Sequence, residues 1–381
     1  MPLFYIFSSD LTKQALAGDP EAQFCLGKCY SMGSGIQKSY SEAAKWFRKA
    51  AENGYSDALL SLGWIYEKGQ GVEQDFEEAI RWYEKAANQG DPLAEYNLGL
   101  MYYVGNGFAQ DYAEAAKRFY NAAENGISVA HYKLGNMFKQ GQGVPQDYAE
   151  AVRRYRLAAD NFISEAKYEL GKMFCCGLGV EMDQREALKC FLSAANDGFI
   201  EAQYTLASMY LRGEGVLQDN EDALYWFHKA AEQGHVNAQC MLGQLYSDGD
   251  CVTQDHRKAV AWYQKAAVMR DVTAQTNLGL MYFRGEGVDQ DCGEAAKWLG
   301  LAAEQGNDVA QYHLGLLYYQ GLGVPQDKEE AYFWMLLVYS SPNGFVSKIR
   351  AEVANELTLS QKERVHARFE KWYEDRLSRD E

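Results

Sequence analysis

The stretch that decides the fold is Leu62-Gly63-Trp64-Ile65-Tyr66-Glu67-Lys68-Gly69-Gln70-Gly71-Val72-Glu73-Gln74-Asp75. Ala58, Leu62, Gly63 and Tyr66 fall at helical spacing, and the missing side chain of Gly63 lets another helix come close. Gly69-Gln70-Gly71-Val72 then stops the helix, because glycine tolerates the positive φ that follows a helix C-terminus. Asp75, with Glu78 three residues on, predicts a capping box that opens a second helix. That helix carries Ala79, Trp82, Tyr83, Ala86 and Ala87 on one apolar face and ends at Gly90. The reading is an αα-hairpin.

The hairpin recurs. The glycine of the Leu-Gly pair returns every 36 residues as Gly27, Gly63, Gly99, Gly135, Gly171, Gly243, Gly279 and Gly315, with Ala207 in the sixth slot. The cap pair returns as Ser39/Glu42, Asp111/Glu114, Asp147/Glu150, Asp183/Glu186, Asp291/Glu294 and Asp327/Glu330. Asp19-Pro20 and Asp91-Pro92 supply an N-cap and a first-turn proline for two of the first helices. One hairpin cannot bury both faces, so the repetition predicts an all-α, right-handed αα-hairpin solenoid, a superhelix of nine repeats. The 381 residues, which as a bare length suggest two or three domains, are absorbed by one repeated architecture.

The expected organisation is an N-terminal cap with a partial helix over 1–18, the repeats over 19–342 and a C-terminal helical cap over 343–381. Leu11 to Gly18 reads as the tail of a second helix. Ser360 and Glu363 read as the cap of a final helix that presents Val365, Phe369 and Trp372 to the last repeat. Some repeats depart from the pattern. Arg118, Arg154 and Cys190 stand in the slot that holds Trp46, Trp82, Trp226, Trp262, Trp298 and Trp334 elsewhere. Cys251 replaces the second loop glycine of repeat seven, and Phe162 and Arg270 replace terminal glycines. Local changes of curvature are expected there, with the stack unbroken.

Lys and Arg number 37 against 53 Asp and Glu, a formal charge of −16 that repels phosphate backbones and excludes nucleic acid as a partner. The same sign steers basic partners. The N-terminal residues Met1 to Asp10 have no basic region ahead of their short apolar run, and no apolar stretch reaches membrane-spanning length. A cytoplasmic, monomeric protein with no membrane span is expected, with a periplasmic or secreted location left open. The eight Cys (Cys25, Cys29, Cys175, Cys176, Cys190, Cys240, Cys251 and Cys292) follow no pairing pattern.

No catalytic set emerges. The Gly-x-Gly loops lie between helices with no preceding strand, so they read as turns and not phosphate cradles. His131, His228, His235, His256, His313 and His366 form no metal-ligand spacing. Cys25 and Cys29 lie one helical turn apart but lack further ligands, and read as core thiols. Neither a cofactor nor a metal site nor an enzyme activity is expected.

The pattern Ala-x-x-x-Leu-Gly-x-x-Tyr-x-x-Gly-x-Gly-Val-x-x-Asp, followed by Ala-x-x-Trp-Phe/Tyr-x-x-Ala-Ala-x-x-Gly, resembles the Sel1-like repeat, a relative of the tetratricopeptide repeat. The resemblance runs from about Asp19 to Tyr339. It implies a scaffold or adaptor that holds partner proteins, with the first helix of each repeat on the concave face. A Cys-rich branch of that family is associated with β-lactam binding. This chain has Ala51 and Ala58 near where that branch has its cysteines, so the association does not transfer.

Two first-helix positions vary enough to encode a partner: the residue after the Leu-Gly pair and the one after the Tyr. They are mainly polar in the central repeats but hold Trp64, Leu100 and Tyr103 early, and Leu280, Phe283, Leu316 and Tyr319 late. Aromatic anchors of this kind are typical of protein interfaces, so both groups are candidate partner-binding patches, with packing against neighbouring repeats as the competing reading. A second stripe, Tyr96, Tyr132, Tyr168, Tyr204 and Tyr312, reads as packing, and the Trp slot reads as core. The leading function is a non-catalytic scaffold for a protein or peptide of unknown identity. The alternatives are an envelope protein associated with peptidoglycan or glycan, with weak hydrolytic activity, and a bacterial effector directed at host cells.

Overall fold

The computed structural model describes residues 7–107, 109–338 and 345–380, and among them every regular element is an α-helix. Two compact units, Met1–Asp197 and Gly198–Glu381, are each built of hairpins. In the first, α1 (Ser9–Leu16) precedes the pairs α2 (Pro20–Met32) and α3 (Tyr40–Glu52), and α4 (Ser56–Lys68) and α5 (Phe76–Asn88). The pairs α6 (Pro92–Val104) and α7 (Tyr112–Glu124), α8 (Ser128–Gln140) and α9 (Tyr148–Ala159), and α10 (Ser164–Cys176) and α11 (Gln184–Asn196) complete it. The second unit holds α12 (Ile200–Arg212) and α13 (Asn220–Glu232), then α14 (Val236–Asp248) and α15 (His256–Val268). It continues with α16 (Val272–Arg284) and α17 (Cys292–Glu304), and α18 (Asp308–Gln320) and α19 (Lys328–Leu336). The last helices are α20 (Phe345–Asn355) and α21 (Leu359–Asp380). The fold is an all-α helical-repeat solenoid of nine hairpins.

Side-chain caps start the second helices. Ser39, Asp75, Asp111, Asp147 and Asp183 accept from the third residue's N–H, and Asp219, Asp255, Asp291 and Asp327 do the same. The other half of the expected box is absent for a simple reason: the cap residue's own N–H is already used. Asp75 donates it to the Tyr66 carbonyl at 3.0 Å, and Asp111 and Asp147 donate theirs to Tyr102 and Phe138. The bond ties the second helix back to the first and leaves the glutamate free to reach up its own helix. Glu78 accepts from Trp82 Nε1 at 2.9 Å, Glu114 from Arg118 at 2.8 Å and Glu150 from Arg154 at 2.7 Å.

Glycine sets two close approaches. A Cβ on Gly63 would lie 2.6 Å from the ring of Tyr83, and Gly27 and Gly99 meet Phe47 and Phe119 in the same way. A Cβ on Gly71 would lie 2.3 Å from the backbone nitrogen of Ser41, at the start of the preceding repeat's second helix. The first glycine thus closes the hairpin and the second seats one hairpin on the next. Phe162 (φ 63°) and Arg270 (φ 66°) adopt the left-handed conformation of the glycines they replace, so the turn itself is retained. Cys251 is different: it does not take a positive φ.

At the ends, α1 buries Ala15 with Ala22 and Leu26, and the Ala15 carbonyl accepts from Gln23 Nε2 at 3.1 Å. The expected cap at Ser360 and Glu363 is corrected to Thr358 and Gln361. Thr358 N–H donates to Gln361 Oε1 at 2.9 Å, and Gln361 N–H donates to Thr358 Oγ1 at 3.3 Å. Leu357 is buried and fixes where the chain turns, so the cap must follow it directly. Val365 is buried, and Phe369 and Trp372 pack half-buried against the core of the last hairpins.

Candidate interaction face

The first helices of the first three repeats line an open cavity of about 240 Å³. Lys28 and Ser31 come from α2, Leu60, Ser61, Trp64 and Ile65 from α4, and Asn97 from α6, with Phe47 of α3 as floor. Trp64 is 40% exposed, unusual for an indole with no polar excuse to face water. In the second unit a cavity of about 310 Å³ has the same register six repeats on. Gln244, Ser247, Tyr263, Asn277 and Leu280 stand there for Lys28, Ser31, Phe47, Ser61 and Trp64. The second is more polar: Asn277 Nδ2 donates to the Tyr263 hydroxyl, and Arg284 and Glu286 complete its rim.

The remaining proposed anchors are less free. Leu100 and Tyr103 pack half-buried on the core of the third repeat. Tyr103 meets Tyr112 edge-on at 5.2 Å and donates to Gln142 Oε1 at 3.0 Å. Leu280, Phe283, Leu316 and Tyr319 all pack on one core that also takes α21. Tyr319 donates to Glu356 Oε1 at 2.6 Å, and that carboxylate also accepts Lys328, which holds it below the usual carboxylate range. The structure therefore joins the four late residues on one core. It separates Trp64, which lines a cavity, from Leu100 and Tyr103. The Tyr stripe packs as expected: Tyr96, Tyr168 and Tyr204 lie 5.5–5.8 Å from Phe119, Phe191 and Phe227. Of the Trp slot, Trp82, Trp226, Trp298 and Trp334 are buried, while Trp46 and Trp262 are half-buried under Lys49 and Lys265.

A buried polar register escaped the sequence reading. Three residues before each Leu of the Leu-Gly pair stand Gln23, Leu59, Glu95, His131, Lys167, Gln203, Gln239, Gln275 and Gln311. Gln239, Gln275 and Gln311 donate to the carbonyls of Ala231, Ala267 and Ala303, across the preceding second helix. Gln275 and Gln203 accept from Gln305 and Gln233 at 2.7 Å, so one amide joins three helices. In repeats three to five charged partners enter the clamp. Glu95 accepts from Arg118 at 3.2 Å, His131 Nδ1 from Arg154 at 3.3 Å, and Lys167 donates to Asp197 at 2.5 Å. Because Arg154 can only donate, His131 is neutral with its proton on Nε2. Burial, and then the Arg154 charge, push its pKa down. The two arginines in the Trp slot are thus partners of the altered clamp. The signal was in the sequence as paired departures, Glu95 with Arg118 and His131 with Arg154.

Among the described residues no group of three or more His, Cys, Asp or Glu is placed to hold a metal ion, and all eight cysteines are free. Burial pushes the Cys25 and Cys29 thiols up, Cys190 to about 11 and Cys240 to about 12. Protonated thiols of this kind are poor nucleophiles and poor ligands. No helix among the described residues is long and apolar enough to cross a membrane.

The Sel1 repeat model matches nine segments: 20–55, 56–91, 92–127, 128–161, 164–199, 200–235, 236–267, 272–307 and 308–337. Its two breaks coincide with the positive-φ residues Phe162 and Arg270. The chain is similar to a Sel1 repeat protein from Oxalobacter formigenes, at 36% identity, with 81% of this chain and 90% of that one covered and a TM-score of 0.69. It is also similar to a protective antigen of uropathogenic Escherichia coli that displays an SLR fold, at 33% identity over 96% and 94% of the two chains, with a TM-score of 0.55. No curated protein matches it. With the repeat matched from residue 20 to 337 and the hairpins closed at the Leu-Gly glycine, this chain belongs to the Sel1 repeat family.

Proposed function

We propose that the protein is a non-catalytic interaction scaffold or adaptor that binds a partner protein or peptide on the face formed by its first helices. Sel1 repeat folds generally serve as protein-interaction scaffolds, which supports the class of function. The observation that carries the site is the recurrence of a cavity at one repeat register, with Trp64 in the first and Leu280 in the second. Constant positions build the hairpins, while at the variable register Trp64 and Leu280 line cavities, the division expected of a reader surface. A groove between successive helices suits a partner helix or an extended segment.

Affinity purification with mass spectrometry, run on the chain and on its Leu280→Ser/Phe283→Ser variant, tests the reading. Partners captured by the parent should be lost from the variant while the melting temperature stays within a few degrees. Capture that persists refutes the late patch, and collapse of the fold shows that these half-buried residues serve packing.

A further inference from the structure

Lys28 is the unusual group on the first-helix face. Its Nζ lies 5.1 Å from the centroid of Phe24 and 5.7 Å from that of Phe47, and it lines the Trp64 cavity. Among the described residues it has no ion-pair partner, and Asp57 is the carboxylate whose field reaches it. Repeat five offers a contrast. Lys172, at the same register, pairs with Glu169 at 2.9 Å, and the residue equivalent to Glu169 in the first repeat is Cys25. The nearby Glu67 is already taken by Lys68 at 2.6 Å and by the Tyr83 hydroxyl at 2.8 Å. A second cation, Lys38, sits 4.8 Å from the ring of Tyr40, which lies beside Trp64 at 6.4 Å.

We propose that this cavity docks a peptide that places a side-chain carboxylate beside an aliphatic or aromatic side chain. Lys28 takes the carboxylate, Trp64 and Leu60 take the apolar group, and Ser61 and Asn97 bond the peptide backbone. The proposal rests on the reading of the first-helix face as the binding surface and names the chemistry it selects. Size agrees: small-molecule sites occupy about 300–1,000 Å³, and a cavity of about 240 Å³ falls just below that range, enough to seat the apolar side chain with the carboxylate at its Lys28 edge. Charge agrees locally: burial lowers the pKa of Lys28, so its ammonium gains from an anion that replaces lost water. Ser61 and Asn97 have no side-chain hydrogen bonds among the described residues and line the cavity from successive first helices.

Peptide libraries with a fixed Asp-Leu, Asn-Leu or Lys-Leu core and random flanks, each made with an amidated and with a free C-terminus and panned on the immobilised full chain, test this. The Asp-Leu core should be enriched about ten-fold or more over Asn-Leu, the order of a partly desolvated charge-assisted contact. Lys28→Gln should erase that preference, Lys28→Arg should keep most of it, and Trp64→Ala should abolish retention of all cores. Thermal melting checks that each variant is folded. Equal retention of Asp and Asn cores, with binding still dependent on Trp64, overturns the acidic specificity and leaves the scaffold reading standing. Retention of Asn-Leu peptides only when they end in a free carboxylate overturns the side-chain source. No retention above Trp64→Ala overturns the cavity as a site, and the scaffold reading then depends on the Leu280/Phe283 capture.

Discussion

Replacing Arg154 with Met removes the charge from the most buried ion cluster of the first unit and keeps the length of the side chain. Arg154 is 5% exposed and is held by Glu150 at 2.7 Å, Glu124 at 3.4 Å, His131 at 3.3 Å and the ring of Tyr120 at 4.7 Å. The Glu150 side chain is 13% exposed, so its bond is charge-assisted and costs about 1.5–3 kcal/mol to lose. Glu124 is more than half exposed and adds at most about 1 kcal/mol after solvent screening. The cation over Tyr120 adds roughly another 0.5–1 kcal/mol. A loss of about 3 kcal/mol follows, within the range for breaking one side of a buried pair. Repeat stacks need not unfold in two states, so hydrogen exchange is the local readout. Amides of α7, α8 and α9 should exchange roughly a hundred-fold faster, while those of the second unit keep their rates. Combining Arg154→Trp with His131→Gln rebuilds the Gln-with-Trp pairing found at Gln239/Trp262 and Gln275/Trp298, and should recover most of the protection. A loss under about 1 kcal/mol, or a double variant no better than Arg154→Trp alone, refutes the clamp as a coupled pair.

Phe162→Gly and Arg270→Gly should each stabilise the chain by about 0.5–1 kcal/mol in thermal unfolding, the left-handed strain of roughly 1–2 kcal/mol less the entropy cost of glycine. Phe162 is 82% exposed, so little packing is lost; a lowered melting temperature would contradict this. Gly71→Ala adds strain at φ 73° to a clash with backbone and should cost about 2–4 kcal/mol, whereas Gly90→Ala, with open space around it, should cost about 1. Equal effects in denaturant titrations would remove Gly71 from the seat between hairpins. Burial lowers the folded-state pKa of His131, His228 and His313. Their neutral forms contribute stability above the unfolded value of about 6.5 that is lost as pH falls through the folded values. Melting temperature should therefore drop on acidification below neutrality, and His131→Gln should flatten part of the drop; a flat profile in the parent contradicts the assignment.

The hairpin was legible because its determinants are local and repeated. Gly63 is required by one ring, Tyr83, at a constant separation, and the requirement recurs with Phe47 and Phe119. The final cap was not, because Ser360-x-x-Glu363 and Thr358-x-x-Gln361 are equally good local patterns. The burial of Leu357 decides between them, and burial is a tertiary fact. The candidate site was legible only in part. Variation at a register identifies positions free to change but does not distinguish Trp64, which faces a cavity, from Tyr319, whose hydroxyl is held by Glu356 in the turn between α20 and α21.

A net charge of −16 taken as a uniform field favours a basic partner. The acid is not uniform, however. Cap aspartates spend their charge on helix N-termini, Glu95, Glu150 and Glu169 are tied to Arg118, Arg154 and Lys172, and Glu329 and Glu330 are tied to the last helix. Groups so paired contribute little to recognition at a Debye length of about 8 Å. What a partner meets at the first-helix face is the residue left unpaired there, and in the first repeat that residue is a lysine. Cys25 stands where Glu169 pairs with Lys172 in repeat five, so among the described residues Lys28 brings to the Trp64 cavity an ammonium with no ion-pair partner, opposite in sign to the net charge of the chain. Where a docking site is only two side chains wide, the local sign is the one that selects.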